Sequence, residues 1–266
     1  MIKNMAGVLA GRVAFVTGAS RGIGATIARR LAAEGAAVAA VARTAEPDPR
    51  TPGSLAETVA AIEAAGGRAV AVTADLSKAG DRERAVAEAE AALGPIDILV
   101  NNAAVTIFAP IEQFTEKRFR LMVEVQVWAP YHLTQLVLPG MYARGRGWVL
   151  NISSRASEHP PGPPYEPIYL KGFSVYGMCK AALERFTTAI ASEGFEHGVR
   201  ANSLSPLDNV ATPGAGAHDL VSEFALEDIS LITEAALALV EGDLTARIAV
   251  SQHLLAELGR PARPVA

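Results

Sequence analysis

Tyr176-Gly177-Met178-Cys179-Lys180 sets a phenol and an amine four residues apart, at the head of an apolar run that continues Ala181-Ala182-Leu183-Glu184-Arg185-Phe186. On a helix, residues with that spacing share a face, their Cβ atoms roughly 5–6 Å apart. A free phenol has a pKa of about 10, and a nearby cation favours its ionised form. Such a pair can exchange a proton with an alcohol or a carbonyl near neutral pH. The same spacing also fits a Tyr and a Lys on a solvated helix face, because short motifs arise by chance. The elements around the pair decide between the two.

Length and composition narrow the setting. A chain of 266 residues fits one large α/β domain, and no linker long enough to divide it interrupts 1–266. The 24 Lys and Arg against 28 Asp and Glu give a net charge of −4, which carries no footprint for nucleic acid or an anionic membrane. A single cysteine, Cys179, excludes an intramolecular disulfide framework and a Cys-rich metal site. The histidines (His132, His159, His197, His218, His253) lack metal-ligand spacing, so no metal is expected. Met1-Ile2-Lys3-Asn4 leads into a strand-like run rather than a signal peptide, and no apolar run approaches the ~20 residues that span a bilayer. The expectation is a soluble, cytoplasmic protein.

Along the chain, short apolar runs alternate with helical spacing. Val13-Ala14-Phe15-Val16-Thr17 stops at the glycine-rich stretch Gly18-Ala19-Ser20-Arg21-Gly22-Ile23-Gly24, a helix over 25–33 follows, and 37–42 reads as a second strand. Ser54 and Glu57 open a helix over 55–65 with capping-box spacing, and strand 68–73 leads to Asp75-Leu76. A helix over 78–93, strand 96–100 ending in Asn101-Asn102-Ala103-Ala104, a long helix over 115–141 and strand 147–152 ending in Ser153-Ser154 come next. The five prolines within 158–171 exclude a regular helix there. The helix bearing Tyr176 runs to about 197 and strand 199–204 ends at Ser205-Pro206; one or two helices over 217–241 and a seventh strand over 246–250 complete the pattern. Alternation of this kind predicts an α/β fold, a doubly wound parallel sheet of about seven strands with helices on both faces. In such sheets ligands lie at the carboxyl ends of the strands. The glycine loop, Asp75, Asn101-Asn102, Ser153-Ser154 and Ser205-Pro206 all fall there.

This combination resembles the short-chain dehydrogenase/reductase family over nearly the whole chain, from Gly11 to about Gly259. Thr17-Gly18-Ala19-Ser20-Arg21-Gly22-Ile23-Gly24 matches the family's TGxxxGxG loop, where bare backbone at Gly18, Gly22 and Gly24 lets phosphates reach amides at a helix N-terminus. Asn101-Asn102-Ala103-Ala104 is similar to the family's NNAG. The resemblance implies cofactor contacts at Gly18, Ser20, Arg21, Gly22, Ile23 and Gly24, and at Asp75, Leu76, Asn102 and Ala103, with Asp75 on the adenine amine. Asp75 also suits an ordinary turn or cap before Ser77. Val210-Ala211-Thr212 after Pro206 resembles the segment that meets the nicotinamide, which adds Pro206 and Thr212. A loop threonine needs no such role.

Cofactor choice reads from the end of the second strand. An acid there would take the ribose 2′-hydroxyl of NAD, but this chain has Ala42, then Arg43, with Arg21 in the glycine loop. Two guanidinium groups suit a 2′-phosphate, so NADP(H) is the expected cofactor, Arg43 joining the set that holds it. For catalysis the resemblance carries over Ser154, Tyr176 and Lys180. Tyr176 is the implied acid/base, Lys180 lowers its pKa and holds the nicotinamide ribose, and Ser154, with Ser153 as rival, hydrogen-bonds the substrate oxygen.

Several departures stand out. Gln126 occupies the place of a family asparagine that supports a water in the proton relay, Leu207 replaces a glycine, and Ala104 the last glycine of NNAG. Ser154 and Tyr176 are 22 residues apart, an unusually long separation that holds a Pro-rich inserted loop, 158–172. A substrate segment over 207–232 offers Val210, Leu220, Val221, Phe224 and Leu226 but few cations, which points to a small or mid-sized apolar carbonyl or alcohol. The expected activity is NADP(H)-dependent interconversion of a carbonyl and an alcohol. A catalytically weak nucleotide-binding sensor is the alternative, and dehydration or epimerisation is a third reading. The family commonly forms homodimers and homotetramers through the helices around 115–141 and 175–195.

Overall fold

The computed structural model describes residues 7–47, 52–165, 172–210, 212 and 226–263. The chain runs β1 (Val13–Thr17), α1 (Gly22–Ala33), β2 (Ala37–Ala42), α2 (Leu55–Ala64), β3 (Arg68–Thr73), α3 (Ala79–Leu93) and β4 (Ile98–Asn101). Then come α4 (Glu116–Val123), α5 (Ala129–Arg144), β5 (Gly147–Ile152), α6 (Ser174–Gly194) and β6 (Val199–Ser205). Last are β7 (Asn209–Val210), β8 (Leu226–Glu227), α7 (Ile229–Glu241), β9 (Ile248–Val250) and α8 (Ser251–Glu257).

β1 is buried at every residue, so its run is apolar throughout rather than alternating; a strand covered on both faces has no solvent side to mark. Its side chains divide between two cores. Ala14 and Val16 pack with Ile27 and Leu31 of α1 and Leu237 of α7, whereas Val13 and Phe15 pack with Val86 of α3, Leu133 of α5 and Ile190 of α6. The sheet between these layers has seven strands in the order β3-β2-β1-β4-β5-β6-β9, all neighbours parallel. The strand order reverses between β1 and β4, which opens a crevice at their carboxyl ends. The expected fold class is the one observed.

Several boundaries differ from the sequence expectation. β4 starts at Ile98 rather than at 96, and just before it the Asp97 carboxylate accepts the Val13 amide at 3.1 Å. Ala246 has a φ of 58°, which breaks the extended run and starts β9 at Ile248. Within the stretch expected to be helical over 217–241, Leu226–Glu227 instead pairs in parallel with β7, and Asp228 caps α7 by accepting the Ser230 amide at 2.8 Å. Residues 211 and 213–225 of the expected substrate segment, and 166–171 of the Pro-rich loop, lie outside the described residues.

The long helix expected over 115–141 is three pieces, α4 and α5 being joined by a π-helical turn, Glu124–Trp128. The Ala129 amide reaches back five residues to the Glu124 carbonyl. Pro130 supplies the cause: without an N–H it cannot close the α-helical bond to the Gln126 carbonyl. A π turn in a long helix commonly marks a functional site, and Gln126 is at its centre.

Candidate active site

Thr17, the last residue of β1, organises the glycine loop. Its hydroxyl donates to the Val100 carbonyl at 3.1 Å and accepts the amides of Asn102 and Ala103 at 2.9 and 3.0 Å. The Asn102 side chain then donates to the carbonyls of Thr17 at 2.9 Å and Gly18 at 3.3 Å. α1 packs so closely on this clamp that a Cβ on Gly24 would stand 2.3 Å from the Gly18 carbonyl oxygen and 2.4 Å from Asn102 Nδ2. Only glycine fits. Arg21, the N-cap of α1, makes no side-chain cap, so the first amides of this 12-residue helix face the crevice beside Ser20, Gly22 and Ile23. Bare backbone and an open helix N-terminus form a cradle that fits a dinucleotide's phosphates.

At the end of β2, Arg21 Nη2 donates to Thr44 Oγ1 at 3.1 Å, and Arg43 is exposed next door. Asp75 accepts the amide and hydroxyl of Ser77 at 3.1 and 2.7 Å. Burial alone would raise the Asp75 carboxyl, but the Ser77 hydrogen bonds and the charges of Arg43 and Lys78 hold it below its ordinary value. Asp75 is thus the hub of a turn, with Leu76 buried behind it. A cavity of about 240 Å³ opens beside Ser20, Arg21 and Gly22. A wider cleft of about 710 Å³ lies at the opposite edge of the sheet, between Arg12, Arg29 and Arg68, and touches none of the residues expected to do chemistry.

The second half of the site lies beyond β5. Ser153 and Ser154 part company there. The Ser153 hydroxyl donates to Glu184 Oε1 on α6 at 2.7 Å, whereas Ser154 hydrogen-bonds the Tyr176 phenol. Ser154 also opens the one-turn 3₁₀ helix Arg155–Ser157, its Oγ accepting the Ala156 amide at 3.2 Å. α6 meets that turn at Gly177, where a Cβ would lie 2.3 Å from the Ala156 carbonyl oxygen. Lys180 is 3% exposed; its ammonium donates to the Ile152 carbonyl at 2.9 Å and stands 5.5 Å from the Tyr176 ring centroid.

Burial pushes the Tyr176 phenol up, with the Ser154 hydrogen bond acting in the opposite direction. Burial also brings the Lys180 ammonium down to about 8, against the opposing pull of Cys179 and Glu184. The Lys180 ammonium is turned to a backbone carbonyl, and burial is the leading influence on both groups.

Gln126 is 1% exposed, donates through Nε2 to the Val105 carbonyl at 3.0 Å, and keeps a buried Oε1 without a partner among the described residues. Thr212 lies across the glycine loop, its Cβ and Cγ2 each 3.2 Å from where a Gly22 Cβ would project. The structure thus gathers the expected residues of the glycine loop, Asn102, Ala103, Ser154, Tyr176, Lys180, Pro206 and Thr212 at one edge of the sheet.

Three sets of contacts are not read from the sequence, although Asn101 itself is singled out there. Asn101, Asn151 and Thr187 form a buried chain, Nδ2 to Oδ1 and Nδ2 to Oγ1, both at 2.8 Å, that joins β4, β5 and α6. Glu184 takes both Ser153 and Ser157 at 2.7 Å. Phe108 and Phe173 wall the reacting end, Phe108 edge-on to Tyr176 at 5.6 Å and tilted against Phe173 at 4.6 Å. No spacing rule links 108 to 176. Among the described residues no cluster of His, Cys, Asp and Glu could hold a metal, and no helix is long and apolar enough to cross a membrane.

Comparison with known proteins fits this geometry. A sequence model of the short chain dehydrogenase family matches residues 12–217. The chain is 33% identical over 251 residues to Ketoacyl reductase HetN of a Nostoc strain, which is 94% of this chain and 82% of that protein. Across such relatives it spans from about half to about four fifths of their length. A short chain dehydrogenase crystal structure from Mycobacterium thermoresistibile superposes with a TM-score of 0.80 at 33% identity, covering 94% of this chain and 88% of that one. A metagenomic short-chain oxidoreductase in complex with NADP gives a TM-score of 0.72 at 30% identity, covering 91% of this chain and 98% of that one.

Proposed function

The chain belongs to the short-chain dehydrogenase/reductase family of oxidoreductases, and we propose that within it the protein interconverts a carbonyl and an alcohol with NADP(H) as hydride carrier. The observation that carries this reading is the joining of Ser154 to Tyr176 with Lys180 buried beneath the phenol ring, at the crevice that faces the open N-terminus of α1.

In this reading the α1 amides at Gly22 and Ile23 and the bare backbone of Gly18 and Gly24 hold the phosphates. Asp75, Leu76, Asn102 and Ala103 flank the adenosine half; Pro206 and Thr212 flank the nicotinamide. When bound there, NADP(H) would supply or accept the hydride. Tyr176 gives its proton to the carbonyl oxygen in reduction and takes it from the alcohol in oxidation. Ser154 donates a hydrogen bond to that oxygen as charge develops. Lys180 holds a cation under the phenol, and the positive nicotinamide ring of the oxidised cofactor adds to its effect; together they oppose the upward push of burial. Gln126 Oε1, a buried acceptor still open, supports a water in the proton relay. Turnover rather than binding alone is supported by Ser154, Tyr176 and Lys180 lying together.

Arg21 and Arg43 at the end of β2, with Ala42 where an acid would bind a 2′-hydroxyl, favour NADP(H) over NAD(H). The aromatic wall of Phe108 and Phe173 suits a substrate that is apolar next to its carbonyl. Phe119, Leu121, Trp128, Tyr131 and Met178 are each 38–46% exposed along α4, the π turn, α5 and α6, and they suit a homodimer or homotetramer. The test is kcat/KM for NADPH and NADH across a panel of apolar ketones and aldehydes. NADPH is expected to lead by about tenfold or more, and Arg43→Ala to narrow the gap, since a hydrogen bond to a charged group contributes roughly 1.5–3 kcal/mol. A preference for NADH removes the cofactor assignment.

A further inference from the structure

We propose that Glu227 is the positioning residue of the segment 206–210: one buried carboxylate that fixes the chain leading to Thr212, which lies over the glycine loop. Glu227 lies on β8 and is 4% exposed. One of its oxygens accepts the amides of Leu207 at 2.8 Å and Asp208 at 3.5 Å and the side-chain amide of Gln252 at 3.2 Å. The other accepts the Ser251 hydroxyl at 2.6 Å. Ser251 Oγ itself accepts the Leu207 amide at 3.3 Å. Donors from the start of the segment and from α8 therefore converge on a single side chain.

A buried carboxyl group is costly unless hydrogen bonds replace its water, and here they do. The choice of group follows from the donor count. A carboxylate offers acceptors only, about four lone-pair sites, whereas a glutamine in its place would turn an NH₂ toward donors. The backbone needs this help, because β7 and β8 form a ladder of just two residue pairs, Asn209 with Leu226 and Val210 with Glu227. A ladder that short is not stable alone. The carboxylate fixes its start at Leu207, and Val210, 5% exposed, seats its end in the core. Thr212, two residues on, reaches Gly22. The Leu207 carbonyl lies 3.5 Å from Arg155 Nη1, so the same anchor also meets the turn that follows Ser154.

This inference rests on the reading that 206–212 borders the nicotinamide half of the cofactor, and its test separates the two. Full-length wild type, Glu227→Gln and Ser251→Ala are titrated with NADPH and with adenosine 2′,5′-bisphosphate, which carries the adenosine half alone. Amide exchange is followed over 203–210. For Glu227→Gln, NADPH affinity is expected to fall about tenfold and exchange at Leu207 and Asp208 to rise by at least as much. Affinity for the bisphosphate stays within about twofold, as for distant, independent sites. Ser251→Ala, which keeps the carboxylate, is expected to cost about threefold in NADPH affinity. Unchanged NADPH affinity and exchange in both variants, or equal losses for NADPH and the bisphosphate, would overturn the proposal. If Glu227→Gln does not fold, Ser251→Ala and wild-type exchange decide, and unprotected amides at Leu207 and Asp208 in the wild type count against it. If wild type binds no dinucleotide, the cofactor reading falls while the exchange data still judge Glu227.

Discussion

The end of β1 and the ends of β5 and β6 face one crevice but are built on different physics. Around Gly18–Gly24 the chain is shaped by exclusion: a hydroxyl, an amide side chain and missing Cβ atoms bring backbone against backbone. Around Ser154, Tyr176 and Lys180 it is shaped by buried polarity, in which an ammonium, a phenol and the Glu184 carboxylate hold their places by hydrogen bonds. The first region can bind without reacting. The second sets pKa values, which shape alone does not.

The largest effect should come from separating these roles. On the proposed chemistry, Tyr176→Phe removes the proton donor and leaves the cradle intact. We expect kcat to fall about a thousandfold or more, as for loss of a general acid. NADPH affinity measured by fluorescence titration should stay within about twofold. Substantial residual turnover would dissolve the division of labour.

Lys180→Met sharpens the electrostatic side. The Lys180 pKa is about 8 in the folded protein against 10.5 in the reference state. Between those values the unfolded chain binds the extra proton, so wild type gains stability as pH rises from about 8 to 10.5. Below that window the buried charge carries its full cost, and above it the cost disappears. Denaturant titrations of both proteins should show wild type gaining roughly 3 kcal/mol on the variant across the window. Parallel pH profiles would mean that Lys180 is not desolvated as the structure has it.

Gly24→Ala tests the steric side, with an expected effect on stability smaller than that of Lys180→Met. Its Cβ would stand 2.3 Å from a carbonyl oxygen that cannot swing away. We expect a loss of about 2 kcal/mol, within the range for overpacking, and roughly tenfold weaker NADPH binding as α1 shifts off the loop. Unaltered affinity would show that the cradle is softer than its packing.

The contrast also explains what the sequence could reveal. Thr17, Gly18, Gly22 and Gly24 are legible because they stand at fixed spacing between a strand and a helix, although the atoms that exclude a Cβ there belong largely to Asn102, Ala103 and Thr212. Tyr176 and Lys180 are legible for the same reason, one helical turn apart. Ser154 is preferred to Ser153 on the family resemblance alone; the bond that engages Ser153 runs to Glu184, some thirty residues away and across a layer, where no spacing records it. Phe108 meets Tyr176, and Glu227 meets Leu207 and Ser251, through tertiary contacts that no periodicity records. The π turn lay between these extremes: Pro130 was visible, but that its missing N–H falls opposite Gln126 is seen only once α4 and α5 are known to be nearly continuous. The unexpected β8 likewise depends on its partner β7, since two residues carry no pattern of their own.

The contact of Gly177 with the Ala156 carbonyl takes the length of the intervening chain out of the geometry. The start of α6 is seated directly on the turn that carries Ser154, and the Ala109 amide separately holds the Gly172 carbonyl at 3.3 Å. Both ends of the long insertion are therefore moored before it begins and after it returns. In engineering terms the two moorings act as a jig: the separation of the Ser154 and Tyr176 hydroxyl groups is set by the seat of Gly177 on Ala156.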